Sequence, residues 1–249
     1  MATSCPIPGT GGTSGPETPQ NGTELRSAPA FLRPLGLCFS GKSGDSAAGI
    51  LAEKDVQVPF NSYGRTKLAV EHMLGDLAQA CGLRTVIFRY FNAAGADPDR
   101  EIGEDHRPET HLIPLVPDAA SGRRAAIKIF GADYPTPDGA CIRDYIHVAD
   151  LADAPVRGPE HLLGGGAPLT LNLGSGTGHS VRAVIDTAQA VTGQTIPVIE
   201  GKRRPGDPPR LVSGSERASE LLGWHAQRSD LATMIEDAWQ WRETGMYED

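Results

Sequence analysis

Hydrophobic and polar positions change character along the chain. Residues 1–34 are rich in Gly, Pro, Ser and Thr and show almost no apolar periodicity. Such a segment buries too little surface to offset its ordering entropy, so it predicts a disordered low-complexity tail. The apolar run Leu35 to Ser40 predicts a short buried strand, followed by a Gly/Ser/Ala-rich loop. From Phe60 onward the patterning is regular. Leu68, Val70, Met73, Leu74 and Leu77 recur at helical spacing over 63–81, and Gly82 supplies the stop. The β-branched and aromatic content of residues 84–91 predicts a buried strand. A polar loop over 92–110 comes next, then a helix at about 115–122 and a short strand over 126–130. A strand within 141–148 follows a turn-rich stretch, and residues 149–163 carry a weak helical pattern broken by Pro155 and Pro159. Further elements are a strand over 169–173, a helix over 181–192 and a strand over 196–200. A loop over 203–209, a short helix over 215–222 and an amphipathic helix over 228–242 complete the chain. Alternating helices and strands predict an α/β fold.

Composition narrows the class. The 249 residues suffice for one large domain or two small ones. The 30 Gly and 20 Pro favour a loop-rich architecture over a helical bundle. A formal net charge of -8 argues against nucleic acid or an anionic membrane surface as partner. Cys5, Cys38, Cys81 and Cys141 are scattered, with no Cys-x-x-Cys. That spacing disfavours a disulfide framework or structural zinc and fits a reducing cytoplasm. No apolar stretch approaches the ~18 residues that a membrane span needs, and the pattern of a secretory signal is absent.

Candidate chemistry starts in the run Asn61-Ser62-Tyr63-Gly64-Arg65-Thr66-Lys67. Tyr63 and Lys67 stand four apart, so a helix stacks them on one face. An ammonium beside a phenol makes an acid/base suited to sugar hydroxyls and carbonyls. As a bare Tyr-x-x-x-Lys the pair is common on solvated helix surfaces. Its context raises its value: it opens a helix, and the next strand ends in Arg89-Tyr90-Phe91-Asn92-Ala93-Ala94-Gly95. Ligands of open α/β sheets bind beyond the carboxyl ends of strands, where Asn92 falls.

Further motifs follow in order: Ile102-Gly103-Glu104-Asp105, Ile129 to Gly139, Ile142-Arg143-Asp144-Tyr145-Ile146-His147, Leu171 to Gly176 and Arg203-Arg204-Pro205-Gly206-Asp207. From about Pro59 to the C-terminus, this ordered set resembles the UDP-glucose 4-epimerases of the extended short-chain dehydrogenase/reductase superfamily. The resemblance implies a partial Rossmann-like parallel sheet lacking its first strands, plus a smaller α/β substrate-binding region. Residues 35–113 would be the remnant of an NAD-binding domain, and 114–249 mainly a UDP-sugar region with segments returning to the sheet. It also implies roles. Tyr63 would take the proton from the sugar 4-hydroxyl. Lys67 would lower the Tyr63 pKa and hold the nicotinamide ribose. Bound NAD would transiently oxidise C4, with Tyr90 and Phe91 beside the cofactor. Asn92, His111 and Leu112 would contact the nucleotide sugar, and Phe130 the uracil. Arg143 and Arg204 would clamp the diphosphate, Asp207 would hold the uridine ribose, and Leu211 is a candidate specificity gate. UDP-glucose and UDP-galactose are the implied substrates, with a homodimer through the helix that bears Tyr63.

Plainer readings stand beside these. Without the resemblance, Arg143 next to Asp144 reads as a surface pair; Phe130 also reads as core and Arg203-Arg204 as a solvated loop. His147 reads as structural, because no second ligand stands at metal spacing. Gly9-x-x-Gly12-x-x-Gly15 has the spacing of a dinucleotide loop, but no buried strand precedes it and no helix follows, so it is rejected. The Gly174-Ser175-Gly176-Thr177-Gly178 loop reads as structural, with Ser180 capping the helix from 181. The family's catalytic Ser or Thr has no clear counterpart; Ser43 is the candidate. The missing glycine loop predicts weak NAD binding and little epimerase activity. It leaves two alternatives open, a non-catalytic UDP-sugar binder and a defective fragment. It also predicts that the strand at 35–40 lies at a sheet edge, with unpaired amides.

Overall fold

The computed structural model describes residues 49–59 and 62–244. The predicted tail, the strand at 35–40 and Ser43 lie outside the described residues. Helix α1 (Ser62–Cys81) leads into strand β1 (Val86–Arg89), which pairs in parallel with β5 (Leu169–Asn172). Strand β2 (Asn92–Ala94) pairs in parallel with β4 (Ile142–His147). At Ile142 and Arg143, β4 takes β6 (Gly178–Ser180) antiparallel on one side and β8 (Arg210–Leu211) parallel on the other. A separate parallel pair joins β3 (Ile127–Phe130) to β7 (Val198–Gly201). The remaining helices are α2 (Leu112–Ala120), α3 (Val148–Leu163), α4 (Val181–Thr192), α5 (Glu216–Leu222) and α6 (Leu231–Glu243). The α/β expectation holds, with mainly parallel pairing.

Two hydrophobic clusters organise these elements. In one, α2, α4 and α6 meet through Val116, Val184, Met234 and Ile235, closed by Ile129 and Tyr145 from the strands. In the other, β1 and β5 are covered by α3 and α5 around Trp224. Trp224 is fully buried, and its indole N–H donates to the Asp150 carbonyl at 2.8 Å, which removes the cost of hiding that donor.

The pattern located most elements to within a few residues and missed in informative places. Helix α3 runs unbroken through Pro155 and Pro159. Its buried positions Leu151, Ala154, Gly158 and Leu162 recur at helical spacing, and their burial outweighs the two lost N–H donors. Gly158 is part of the reason: a Cβ there would stand 3.1 Å from the Phe88 ring, so glycine lets α3 close on β1. The loop expected over 92–110 begins with the three residues of β2. Strands β6 and β8 are too short to show any alternation.

The Gly174–Gly178 loop is structural, as expected. A Cβ on Gly174 would meet the Ser213 carbonyl oxygen at 1.9 Å. Ser180 caps α4 by accepting from the Ala183 N–H at 3.0 Å. The segment before α1 is stitched to distant chain. Leu51 donates to the Val212 carbonyl at 2.8 Å and accepts from the Gly214 N–H at 3.2 Å. The Asn172 N–H donates to a Glu53 carboxylate oxygen at 2.9 Å.

Candidate functional site

At the carboxyl end of β1, between the start of α1 and the first turn of α3, lies a cavity of about 570 Å³. Tyr63, Tyr90, Phe91 and Asn92 line it, joined by Glu104 and His111 from the segment between β2 and α2. Five of the residues expected at the site therefore share one space. Tyr63 is half exposed, and the Lys67 ammonium lies over its ring, 5.1 Å from the centroid. Lys67 itself does not line the cavity. Burial raises the Tyr90 phenol above its ordinary pKa of 10.0, and neighbouring Tyr63 adds to the rise. Tyr90 thus stays protonated as a hydrogen-bonding wall. The Asn92 amide donates to the Asp144 carbonyl at 2.7 Å, which fixes its side chain and leaves its own carbonyl oxygen as an acceptor.

His111 stands at the N-cap of α2, with its Nδ1 3.0 Å from a Glu104 oxygen and 3.1 Å from a Glu109 oxygen. The Glu104 hydrogen bond leads in raising its pKa above 6.5, opposed by partial burial and helped by the charges of Glu104 and Glu109. Leu112, next along, packs against the core rather than lining the cavity.

The other expected residues form a second group. Arg143 and Asp207 make an ion pair at 2.5 Å with little exposure on either side. The Arg204 guanidinium lies over the Phe130 ring, 4.0 Å from its centroid. Leu211, buried in β8, stands opposite Arg143 in the strand register. None of these five lines the cavity.

The neighbour of Arg143 behaves differently. Asp144 points inward, wholly buried, and accepts from the Ser175 hydroxyl at 2.6 Å, the Ser175 N–H at 3.1 Å and the Ser213 N–H at 3.0 Å. Burial raises its pKa against the pull of those donors. The period of two along β4 separates the pair: Arg143 is half-buried on one side and Asp144 is sealed on the other. The surface-pair reading of Arg143 and Asp144 fails for that reason.

His147 is structural, as read from the sequence. It is fully buried, its Nδ1 accepts from the Ala149 N–H at 3.0 Å, and its Nε2 lies 2.9 Å from an Asp237 oxygen. The bond at Nδ1 leaves the proton on Nε2, aimed at Asp237. Ile102 and Glu104, quoted in a motif without a role, prove to line the cavity. Only their position between two recognised motifs hinted at it.

A family model described as "NAD dependent epimerase/dehydratase family" matches residues 38–174. The chain belongs to that family. Over 193 residues it is 51% identical to a UDP-glucose 4-epimerase of Halalkalibacterium halodurans, a match covering 78% of this chain and 58% of the relative. The solved UDP-glucose 4-epimerase of Brucella ovis, in complex with NAD, is 52% identical with a TM-score of 0.74; 77% of this chain and 59% of that one are covered. The Bifidobacterium longum enzyme, solved with NAD+ and UDP, is 34% identical with the same TM-score, covering 78% and 58%. The chain thus spans a little under three fifths of the length of these relatives.

Membership bears on the cofactor. Phe91 and the first turn of α3 give the cavity an apolar wall, and Tyr63 adds a polar edge. These fit the flat nicotinamide end of a dinucleotide. No Gly-rich pyrophosphate turn lines the cavity among the described residues.

Proposed function

We propose that this epimerase-family chain carries the acid/base and the sugar-nucleotide face of a UDP-hexose 4-epimerase site. The observation that carries the reading is the convergence of Tyr63 and Asn92 on one cavity at the carboxyl end of β1. The chain's identity to UDP-glucose 4-epimerases supports it. Tyr63 accepts the proton of the sugar 4-hydroxyl and returns it to the same oxygen. The Lys67 ammonium beside its ring favours the phenolate during that exchange. Positioned proton transfer of this kind contributes roughly 10²–10⁴-fold. Asn92 accepts a sugar hydroxyl through the carbonyl oxygen its fixed amide leaves open. NAD, when bound, supplies reversible redox chemistry at C4, and Tyr63, Lys67, Tyr90 and Phe91 would hold it.

The second group takes the nucleotide. Arg143 and Arg204 offer guanidinium forks to the diphosphate, Phe130 a face to the uracil, and Asp207 a carboxylate to the ribose. Residues 35–113 then form the cofactor side and 114–249 mainly the sugar-nucleotide side, with segments that return to the sheet; the pairing of β5 with β1 fits such a return.

A specific observation favours a second reading, a UDP-sugar binder without catalysis. Arg143 with Asp207 and Arg204 with Phe130 stand in contact, whereas no Gly-rich pyrophosphate turn lines the cavity among the described residues. Separate calorimetric titrations with UDP and NAD decide between the two. UDP binding with weak NAD binding and little interconversion of UDP-glucose and UDP-galactose is expected of the chain as it stands. Binding of both ligands, with interconversion abolished by Tyr63→Phe, selects the enzyme. Failure to bind UDP refutes both.

A further inference from the structure

The segment between β2 and α2 brings together four side chains that carry metal-ligating atoms. His106, Glu109 and His111 each place one such atom within 4.8 Å of the others. His111 Nδ1 lies 3.1 Å and His106 Nδ1 4.0 Å from the same Glu109 oxygen. Glu104 reaches His111 Nδ1 at 3.0 Å. Tetrahedral coordination with bonds of about 2.0–2.1 Å sets its donors about 3.3–3.5 Å apart, so small rotamer changes suffice.

Glu109 adds an independent sign. Its side chain is 6% exposed, yet Oε2 is buried with no hydrogen-bond partner. Its Oε1 already accepts the Thr110 and His111 N–H groups, each at 2.6 Å. A buried carboxylate oxygen left unpaired is costly, so this carboxylate is held short of partners; the imidazoles stand against its Oε1, the oxygen an ion between them would meet. The two imidazoles are about half exposed, which gives an ion its entry. The frame is held in place. Gly103 sits where any Cβ would stand 2.3 Å from the Trp241 ring, and the Trp241 indole donates to the Glu104 carbonyl at 3.3 Å.

We propose that His106, Glu109 and His111 bind a divalent transition-metal ion of the zinc class, with Glu104 as the fourth donor. Two imidazoles with carboxylates suit zinc, cobalt, nickel or copper, whereas magnesium and calcium prefer all-oxygen shells. Glu104 and His111 also line the cavity, so the ion would stand at its wall.

Cobalt(II) is the probe, because its visible bands report coordination. Titration of the full chain is expected to give saturable one-to-one binding, displaced by Zn²⁺ and not by excess Mg²⁺. His106→Ala and Glu109→Gln should each weaken binding more than about tenfold, the loss that removing even an outer-sphere partner brings. His72→Ala, on the exposed face of α1, should leave it unchanged. Unchanged affinity in either ligand variant, displacement by Mg²⁺, or no saturable binding overturns the proposal. His106 is about half exposed, so its variant keeps the test decisive if Glu109→Gln fails to fold.

Discussion

Helices α1 and α6 are both amphipathic in sequence, yet the protein holds them in different ways. The 20 residues of α1 bury only Gly64 and Leu74. The 13 residues of α6 bury seven, among them Met234, Ile235 and Trp241. Helix α6 is fixed by apolar area at the centre of a three-helix core. Helix α1 is tied by charge: Glu71 and Arg89 form a bidentate pair at 2.9 and 2.5 Å, each side chain 8% exposed. Arg89 also donates to the Glu53 carbonyl at 3.2 Å, and the Gln57 amide reaches Glu71 at 3.3 Å. The helix that opens with Tyr63 is therefore positioned by directional bonds. Such bonds fix orientation closely and yield sharply when one partner is removed.

The comparison breaks most visibly at that pair. Glu71→Ala leaves a buried guanidinium without its carboxylate and should cost roughly 3–5 kcal/mol. Urea unfolding measures it, and a loss under 1 kcal/mol would mean that α1 is held by other contacts. Next come two methionines of identical chemistry. Met234→Ala in α6, at 0% exposure, should cost about 2–5 kcal/mol. Met73→Ala in α1, at 61% exposure, should stay within about 0.5 kcal/mol. Equal losses would erase the distinction between the helices. The smallest effect is a pH dependence at His179, on the strand that pairs with Arg143. Burial lowers its pKa below 6.5, and Asp230 opposes the shift in part. A depressed histidine pKa favours the folded state fully above the unfolded value. That contribution fades as pH falls from 6.5 through the folded pKa. His179→Gln should flatten this part of the stability profile, read as melting temperature against pH; an unaltered slope would rule His179 out as its source.

These contrasts mark what the sequence made legible. Apolar runs and helical spacing located β1, β4 and α4, because their burial follows a period. The candidate residues Tyr63, Tyr90, Phe91, Asn92 and His111 were found from motifs, and the fold places all five on one cavity. The Glu71–Arg89 pair was invisible, since a charged residue among apolar neighbours carries no local mark of its partner. Helix α3 was read as broken because its prolines are local, whereas its compensation, closure on Phe88, is tertiary. The inward turn of Asp144 was readable in principle from the alternation of β4, but its neighbour Arg143 drew the pair toward a surface reading.

The stitch at Leu51 has a consequence for the order in which the chain acquires its shape. Its partners at Val212 and Gly214 leave the ribosome about 160 residues after it does. During synthesis, α1 and β1 emerge early and the Glu71–Arg89 pair, being local, is available at once. The segment leading into α1 finds Arg89 and Glu71 early, through Glu53 and Gln57, but its bonds to Asn172, Val212 and Gly214 wait for chain made much later. Closing so long a loop costs entropy before any contact rewards it. Final seating of the segment that feeds Tyr63 is thus a late event, and a nascent chain stalled before residue 212 would carry α1 with the Leu51 stitch unmade.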